Sequence, residues 1–429
     1  MILSISLENF YSIKDEVTVD FRAGALRSTA AEELSDNVIA WNGIKVLKTI
    51  GLFGPNASGK SNIIKAISFC CRMVLESQNN GPGTVFNFKP FKFDGWDRKP
   101  SRFSINFVCD SIEYEYTYSL TETQICSESL FYYPKGRKVK VFARDECDDN
   151  SRNQTDKEKK YSFGSSFSGQ TLLSIAKLTG KENLFLSRAA TTDNEFFRRL
   201  YTFFASKFLL GPVLLSDSLA EQLITSNRSI VLRALQLCDS DIVDMKLSKR
   251  KVLVQLPVPG TDGRSIAASP QVIEQLQLQT THSHAKNVTF DLLQEESAGT
   301  LNLFQILLRI LDVVRNRKSV MLDEFDANLH SLLTYFIIDL VHAGDSSQLL
   351  FTSHNTNLID VKRFRRDQIV FVDKKEDGST ETYSLYDFKD FRENMDAEKG
   401  YLQGRFDAVP HVNTSVAELK HLIHDQEGV

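Results

Sequence analysis

The sequence predicts an α/β fold with an antiparallel β subdomain and a helical insertion. A short apolar run at 46–53 leads into a glycine-rich loop and then into amphipathic helical spacing that ends at about Glu76. Aromatic residues alternate with polar ones between 86 and 142, which is typical of an antiparallel sheet. Residues 170–250 have mainly helical spacing. We therefore expect an N-terminal lobe at 1–144, a mostly helical insertion with flexible ends at 145–285, and a C-terminal lobe at 286–429.

Composition narrows the class of protein. The 429 residues are 42% hydrophobic and 25% charged, which is ordinary for a soluble globular chain. A net charge of −4 gives no general attraction to nucleic acid or anionic membranes, so any such contact must be local. The six cysteines form no C-x-x-C pair, and no signal peptide or run of about 18 apolar residues is present. We expect a cytoplasmic protein with reduced thiols and no membrane contact.

The first 144 residues divide into three parts. Residues 1–22 alternate as strands with a turn near 12–15, and 23–45 predict a loop with a short helix. The aromatic segments at 103–108, 114–118 and 129–133 predict an antiparallel meander. Its aromatic side chains form either the core of the sheet, which we favour, or a platform on which bases stack.

Residues 54–61 match the phosphate-binding pattern G-x-x-x-x-G-K-[ST] between a strand and a helix. Glycines let the backbone N–H groups turn toward phosphates, and the start of the helix adds a positive dipole end. Lys60 is predicted to reach the β- and γ-phosphates, and Ser61 to bind Mg²⁺. The chain is therefore predicted to bind a nucleoside triphosphate through Gly54, Asn56, Ala57, Ser58, Gly59, Lys60, Ser61 and Asn62.

The insertion offers two weaker patterns. Asp193 and Asn194 precede an apolar helical face at 195–204. A basic group follows, which is either a solvated strand edge, as we favour, or a phosphate contact: Lys246, Lys249, Arg250 and Lys251. Residues 257–285 predict a flexible segment, where His282 and His284 fit a loop better than a metal site.

A second acidic group completes the predicted nucleotide site. Asp323 and Glu324 follow the apolar strand at 318–322. Asp323 is placed to bind Mg²⁺, and Glu324 to act as general base or to orient water. The next apolar strand, at 348–352, leads to His354.

The order of these motifs resembles the ABC-class ATPase head of SMC, RecF and OLD proteins, which implies a P-loop ABC-type ATPase head as the fold. The resemblance implies that Ser297, Gly299 and Thr300, before the helix at 301–314, form the signature motif that caps the γ-phosphate bound to a second subunit. Asn328 and Leu329 match the D-loop at the dimer interface. His354 matches the switch histidine that faces the γ-phosphate, beside the catalytic Glu324.

Both ends of the chain extend the resemblance. Residues 7–14 are similar to the start of RecF-like heads, and 401–410 to a motif of RloA-like stand-alone ATPases and of ATP-binding subunits in abortive-infection and retron-type systems. The pattern departs from the family near 88–91, where no Q-loop glutamine stands. Sustained heptads and a Cys-x-x-Cys hook, which SMC arms need, are missing, and the 75 residues after His354 (429 minus 354) are too few for an OLD-type nuclease domain.

The resemblance implies an ATPase with ATP and Mg²⁺ that forms a homodimer or higher homo-oligomer around ATP. It further implies that the protein regulates a separately encoded effector, a nuclease, in bacterial anti-phage defence, with nucleic-acid contact made through that partner. The alternatives are a RecF-like DNA-repair clamp, a transporter ATPase subunit, and a scaffold with an inactive site.

Overall fold

The computed structural model describes residues 1–26, 32–147, 160–210, 217–238, 241–254, 257–259, 265–267, 271–285, 287–392, 394–410 and 415. The helices are α1 (Lys60–Glu76), α2 (Gln170–Leu178), α3 (Phe185–Ala190), α4 (Glu195–Lys207), α5 (Asp217–Leu237), α6 (Ala298–Asn316), α7 (Ser331–Ala343) and α8 (Ala397–Leu402). The strands of the first half are β1 (Ile2–Glu8), β2 (Val17–Asp20), β3 (Val38–Trp41), β4 (Ile44–Leu47), β5 (Thr49–Phe53), β6 (Ser101–Cys109), β7 (Ile112–Leu120), β8 (Ile125–Tyr132), β9 (Val139–Asp145) and β10 (Tyr161–Phe163). Those of the second half are β11 (Phe208–Leu210), β12 (Ile242–Val254), β13 (Pro257–Pro259), β14 (Ser265–Ala267), β15 (Gln271–His282), β16 (Thr289–Asp291), β17 (Ser319–Leu322), β18 (Gln348–Thr352), β19 (Ile369–Lys374) and β20 (Thr380–Ser384). The predicted α/β fold class is confirmed.

A six-stranded, mostly parallel sheet lies at the centre, in the order β11-β17-β18-β5-β19-β20. Strand β5 is buried along its whole length and pairs in parallel with β18 and β19. The apolar run that the sequence predicts before the glycine-rich loop is this central strand. Because parallel strands end at the same edge, the segments that follow β5, β17 and β18 meet there.

A seven-stranded antiparallel sheet, β10-β9-β8-β7-β6-β1-β2, forms the second layer. Tyr114, Tyr116 and Tyr118 of β7 are at most 1% exposed. Helix α4 packs on this sheet, with the Phe107 and Phe203 rings 4.8 Å apart between centroids. The aromatic side chains are therefore sheet core, as predicted, since a base-stacking platform would have to be exposed.

The buried side chain of Gln348 joins the two layers. Its Oε1 accepts hydrogen bonds from the Ile2 amide at 2.7 Å and the Ser319 hydroxyl at 3.0 Å. Its Nε2 donates to the carbonyls of Ile2 at 2.9 Å and Leu47 at 3.3 Å. One glutamine thus satisfies backbone groups of β1 and β4 where the sheets meet.

A buried ion pair lies beneath α3. Arg144 and Glu128 approach to 3.0 Å, and both side chains are 0% exposed. Glu128 also accepts hydrogen bonds from the Tyr116 hydroxyl at 2.9 Å and from the backbone amides of Phe185 and Leu186 at 2.7 and 3.0 Å. The carboxylate therefore satisfies N–H groups at the start of α3 and fixes that helix on the sheet.

The insertion differs from its prediction in one respect. Strands β12 and β15 form a long antiparallel hairpin, joined by β16, where the sequence predicts helix to 250 and a flexible segment at 257–285. The prediction of a flexible segment is wrong for Gln271–His282. Gln275, Gln277 and Gln279 alternate with Leu276 and Leu278, and that period of two is typical of a strand.

Two further predictions for the insertion concern its basic residues and its histidines. The four basic residues at 246–251 are exposed on β12, an edge strand of its sheet, as the favoured prediction states. The loop prediction is wrong for His282, which is the last residue of β15, and it holds for His284, which lies in the turn that follows. Across the ranges given above, no three His, Cys, Asp or Glu side chains are grouped as metal ligands. Within the same ranges, no helix has the length and apolarity needed to cross a membrane.

Candidate nucleotide-binding site

The glycine-rich loop between β5 and α1 has a backbone that only glycine fits at two positions. Gly54 has a φ of 154° and Gly59 a φ of 113°. A Cβ on Gly54 would lie 2.1 Å from the Val372 carbonyl oxygen, and one on Gly59 would lie 2.0 Å from Thr380 Oγ1. Helix α1 begins directly after Gly59. The loop therefore curls against β19 and β20 and presents the start of α1, the geometry of an anion cradle.

Two side chains within the loop fit a phosphate group. Lys60 is 5% exposed, and its Nζ donates to the carbonyls of Gly54 at 2.8 Å and Pro55 at 2.9 Å. Burial lowers the pKa of this amine to about 8, against the opposing charges of Asp323 and Glu324. An anion beside Lys60 would offset that cost of burial. Ser58 Oγ is buried and has no hydrogen-bond partner among the side chains and backbone that the structure describes.

A directional chain of hydrogen bonds supports the loop from outside. The side-chain Nδ2 of Asn62 donates to Ser12 Oγ at 2.8 Å. Ser12 Oγ is 2.7 Å from Thr380 Oγ1, which donates to the Ser58 carbonyl at 2.8 Å. The sequence predicts nucleotide contact for Asn62, whereas here its amide holds the loop. Sequence reasoning missed Ser12 and Thr380, although Ser12 lies inside the N-terminal motif.

The acidic residues after β17 face the start of α1. Ser61 Oγ donates to Asp323 Oδ1 at 3.1 Å, and Thr352 Oγ1 donates to the same oxygen at 2.6 Å. Thr352 in turn accepts the Glu324 backbone N–H at 2.8 Å. These hydroxyl and carboxylate oxygens are hard donors that fit Mg²⁺. Thr352, at the end of β18, has no role in the sequence prediction, although it lies in a recognised strand.

Glu324 and His354 lie at the same edge of the sheet. Glu324 has a φ of 47°, a left-handed conformation that costs energy for a residue with a side chain. Partial desolvation and the charge of Lys60 lower the pKa of His354, against the effect of Glu324. The imidazole is therefore neutral at pH 7. Next to it, Ser353 Oγ donates to Asp326 Oδ2 at 2.6 Å, and burial raises the pKa of Asp326.

The predicted signature and D-loop residues share a second surface. Ser297 is exposed and caps α6, where its Oγ accepts the Thr300 amide at 3.0 Å. A Cβ on Gly299 would lie 3.3 Å from the Asn328 carbonyl oxygen, and Asn302 donates to the Ala327 carbonyl. The predicted D-loop residue Asn328 is exposed with a φ of 62°, and the next, Leu329, is partly buried.

A cleft lies between helix α1 and helix α6, beside the acidic residues after β17. The cleft has a volume of about 830 Å³ and is lined by α1 from Ile64 to Arg72, by α6 and by Leu322–Asn328. Within the described ranges, no hydrogen bond connects Ser297, Gly299 or Thr300 to residues 54–62. The structure thus brings the P-loop together with Asp323, Glu324 and His354, and it places the signature residues elsewhere.

Comparison with solved structures finds head domains at low identity. An SMC head bound to the C-winged helix domain of ScpA is 14% identical, with 89% of this chain and 97% of that chain covered and a TM-score of 0.40. The SMC head domain from Thermotoga maritima is 13% identical, with 89% and 98% covered and a TM-score of 0.37. The Smc head with an extended coiled coil, bound to the C-terminal domain of ScpA from Pyrococcus furiosus, is 14% identical, with 89% and 96% covered and a TM-score of 0.37.

Comparison with the curated proteins gives no match. A family model described as "AAA domain, putative AbiEii toxin, Type IV TA system" matches residues 50–360. The matched span is 311 residues (360 − 50 + 1), which is more than half of the 429-residue chain, and it extends from β5 past His354. The chain belongs to this family of AAA domains.

Proposed function

We propose that this protein binds ATP with Mg²⁺, hydrolyses it to ADP and phosphate, and pairs with a second copy around the nucleotide. The observation that supports this most is the meeting of the glycine cradle, Lys60 and the Ser61–Asp323–Thr352 cluster at one edge of the central sheet. Buried Lys60 is placed to neutralise phosphate charge, and Ser61 and Asp323 to hold Mg²⁺. The metal would supply charge stabilisation on the transferred phosphoryl group.

Glu324 and His354 have separate roles in hydrolysis. Glu324 accepts a proton from the water that attacks the γ-phosphate, while the bond from the γ-phosphorus to the bridging oxygen breaks and ADP leaves. The ring of His354 can donate a hydrogen bond toward the same phosphate. Thr352 fixes Asp323 and the Glu324 backbone relative to each other.

The separate signature surface supports the pairing. Ser297 lies exposed at the start of a 19-residue helix, where its hydroxyl and the backbone N–H groups form an anion site. Since no hydrogen bond among the described residues joins this site to the chain's own residues 54–62, we assign Ser297, Gly299 and Thr300 to the nucleotide of a second copy. The carbonyl of Asn328 lies beside Gly299, and Asn328 and Leu329 would face the same copy. The result is a homodimer, or a higher homo-oligomer built from such pairs.

Pairing is tested by the solution mass of the Glu324→Gln variant with and without ATP–Mg²⁺. We expect a doubling with ATP, because the variant binds the nucleotide and hydrolyses it slowly. Ser297→Arg in the same background should abolish the doubling, since the longer, positively charged arginine side chain fills the anion site. Ser174→Arg, at an exposed helical serine of α2, is the matched control and should still double. A mass that ATP leaves unchanged contradicts the proposal.

We further propose that the ATP-dependent pair regulates a separately encoded effector, a nuclease, in the cytoplasm of a bacterium that defends itself against phage. Support comes from the family description, which names a toxin of a toxin–antitoxin system, and from the resemblance of 401–410 to defence ATPases. Co-purification of the neighbouring gene product with the Glu324→Gln protein, in the presence of ATP, tests this assignment. Loss of the neighbour under all nucleotide conditions would reject it.

A DNA clamp is the second candidate, because the exposed β12 edge has Lys246, Lys249, Arg250 and Lys251. One of these is already paired, since Lys249 Nζ lies 3.1 Å from Glu221. Duplex DNA that stimulates ATP hydrolysis, with an effect that falls steeply with salt, would favour the clamp. Unchanged hydrolysis would favour the effector-bound ATPase.

Thr352→Val is expected to lower kcat for ATP by about tenfold to a hundredfold, which corresponds to a lost hydrogen bond to a charged group. Valine keeps the shape of the side chain but cannot donate to Asp323 or accept from the Glu324 amide. The measurement is phosphate release as a function of Mg²⁺ concentration, and half-saturation should shift to higher Mg²⁺. Thr117→Val, on β7, is the control with the same chemical change far from the site. Equal rates for Thr352→Val and the parent would remove Thr352 from the mechanism.

A further inference from the structure

A histidine at the base of the β12–β15 hairpin connects two acidic residues from different segments. His282 ends β15, and its Nδ1 lies 2.7 Å from Oδ1 of Asp241, directly before β12. The other ring nitrogen, Nε2, lies 2.8 Å from Oε1 of Glu296. Glu296 is the residue immediately before Ser297, the cap of α6. The imidazole therefore bridges the base of the hairpin to the residue that leads into the signature surface.

The side chain of Glu296 is held on several sides. Only 8% of it is exposed, so its carboxylate depends on protein hydrogen bonds rather than water. Thr280 Oγ1, on the same strand as His282, donates to the same Oε1. The ring of Phe290 stands edge-on to His282, 4.8 Å between centroids. The hydrogen bonds described for the Glu296 carboxylate thus come from the hairpin.

The geometry of the ring excludes a shared metal as the reason for this cluster. Asp241 and Glu296 bind opposite nitrogens of one imidazole, so the ring lies between the carboxylates and all three cannot ligate a single ion. Burial lowers the pKa of His282, but the hydrogen bonds to Glu296 and Asp241 outweigh that effect, and the net shift is upward. The protonated ring can donate to both carboxylates at once.

We propose that His282 is a positioning residue: by holding Glu296 against β15 it fixes Ser297 for contact with the nucleotide of a second copy, and so couples the hairpin to ATP-dependent pairing. This inference rests on the proposed function. Ser297 caps α6 through Thr300, so a displaced Glu296 would move the peptide that carries Ser297 and disturb the cap. The P-loop shares no residue with this contact, so ATP binding to a single copy should not depend on it.

The test uses the Glu324→Gln protein with His282→Ala, and two readouts are compared. The first is the dissociation constant of the ATP-bound dimer by sedimentation velocity. The second is the affinity for a fluorescent ATP analogue, at protein concentrations where only single copies exist. We expect His282→Ala to weaken pairing at least tenfold and to leave nucleotide affinity within twofold. Glu296→Gln should act in the same direction, and His282→Gln, which can still donate to Glu296, should restore part of the pairing.

His284→Ala is the matched control, because His284 is exposed two residues further along the chain. It should change neither readout. If the His282→Ala and Glu296→Gln proteins pair as tightly as the parent, the coupling is overturned and the proposed dimer stands. The coupling is also overturned if His282→Ala loses nucleotide affinity together with pairing. The same holds if the variant melts at a lower temperature and His282→Gln gives no rescue, because the contact is then structural only. If the parent itself does not pair with ATP, the proposed function fails, and the coupling fails with it.

Discussion

Replacing Lys60 by alanine should lower kcat/KM for ATP hydrolysis by a factor of about 10³, the scale of a lost charge-stabilising donor in a buried site. The effect should be large because the Lys60 amine is nearly fully buried, where a charge interacts more strongly with phosphate than it would in water. Phosphate release measures the rate, and a fluorescent ATP analogue measures binding. Both should decrease, since the lysine contacts the nucleotide before and during the reaction.

Lys89→Ala is the control for that experiment. Lys89 is 57% exposed and pairs with Glu122 at 2.8 Å, so its removal should leave the rate unchanged. Hydrolysis by Lys60→Ala at more than a tenth of the parent rate would contradict the assignment of residues 54–61 as the phosphate cradle. A fall in binding without any change in kcat would instead place Lys60 in substrate capture alone.

Replacing Glu128 by leucine should remove about 3–5 kcal/mol from the free energy of unfolding, the usual result of breaking a buried ion pair. Arg144 would keep its charge in a fully buried position. The amides of Phe185 and Leu186 would also lose their acceptor at the start of α3. Urea unfolding followed by circular dichroism measures the change.

Glu115→Gln provides the comparison on the neighbouring strand. Glu115 pairs with Lys138 at 2.7 Å, but the two side chains are 28% and 47% exposed. Its loss should cost no more than about 1 kcal/mol, as for other surface pairs. A similar small cost for Glu128→Leu would show that water reaches Arg144 in the variant, and the buried pair would then not be what fixes α3.

The sequence predicts those parts of the fold whose signal is local. Strand β5, the loop and α1 follow from a contiguous apolar run, two glycines and helical spacing, and the antiparallel sheet follows from alternating tyrosines and phenylalanines. Asp323 and Glu324 are found in the same way, because they directly follow an apolar strand. In each case the residues that decide the structure lie within about 20 positions of one another.

The remaining parts depend on partners far along the chain. Thr352 contacts Asp323 across 29 positions, and Thr380 contacts Ser12 across 368, so no local pattern marks either hydroxyl. The β12–β15 hairpin is missed because glutamines in alternation with apolar residues have the composition of a loop. Glu128 lies on the buried face of β8 with Cys126 and Leu130, and the groups that satisfy its charge are distant in sequence: Arg144 on β9 and the amides of Phe185 and Leu186.

The bonds of Gln348 also constrain how the molecule is made. The backbone of Ile2 bonds to the side chain of Gln348, which is synthesised 346 residues later. At ribosomal rates of about 5–20 residues per second, β1 waits for roughly 17–70 seconds before that partner exists. Strand β5 likewise has neither parallel neighbour until β18 and β19 emerge. Newly made chains therefore carry unpaired sheet edges for tens of seconds, and we expect them to depend on chaperones during that interval more than the finished protein does.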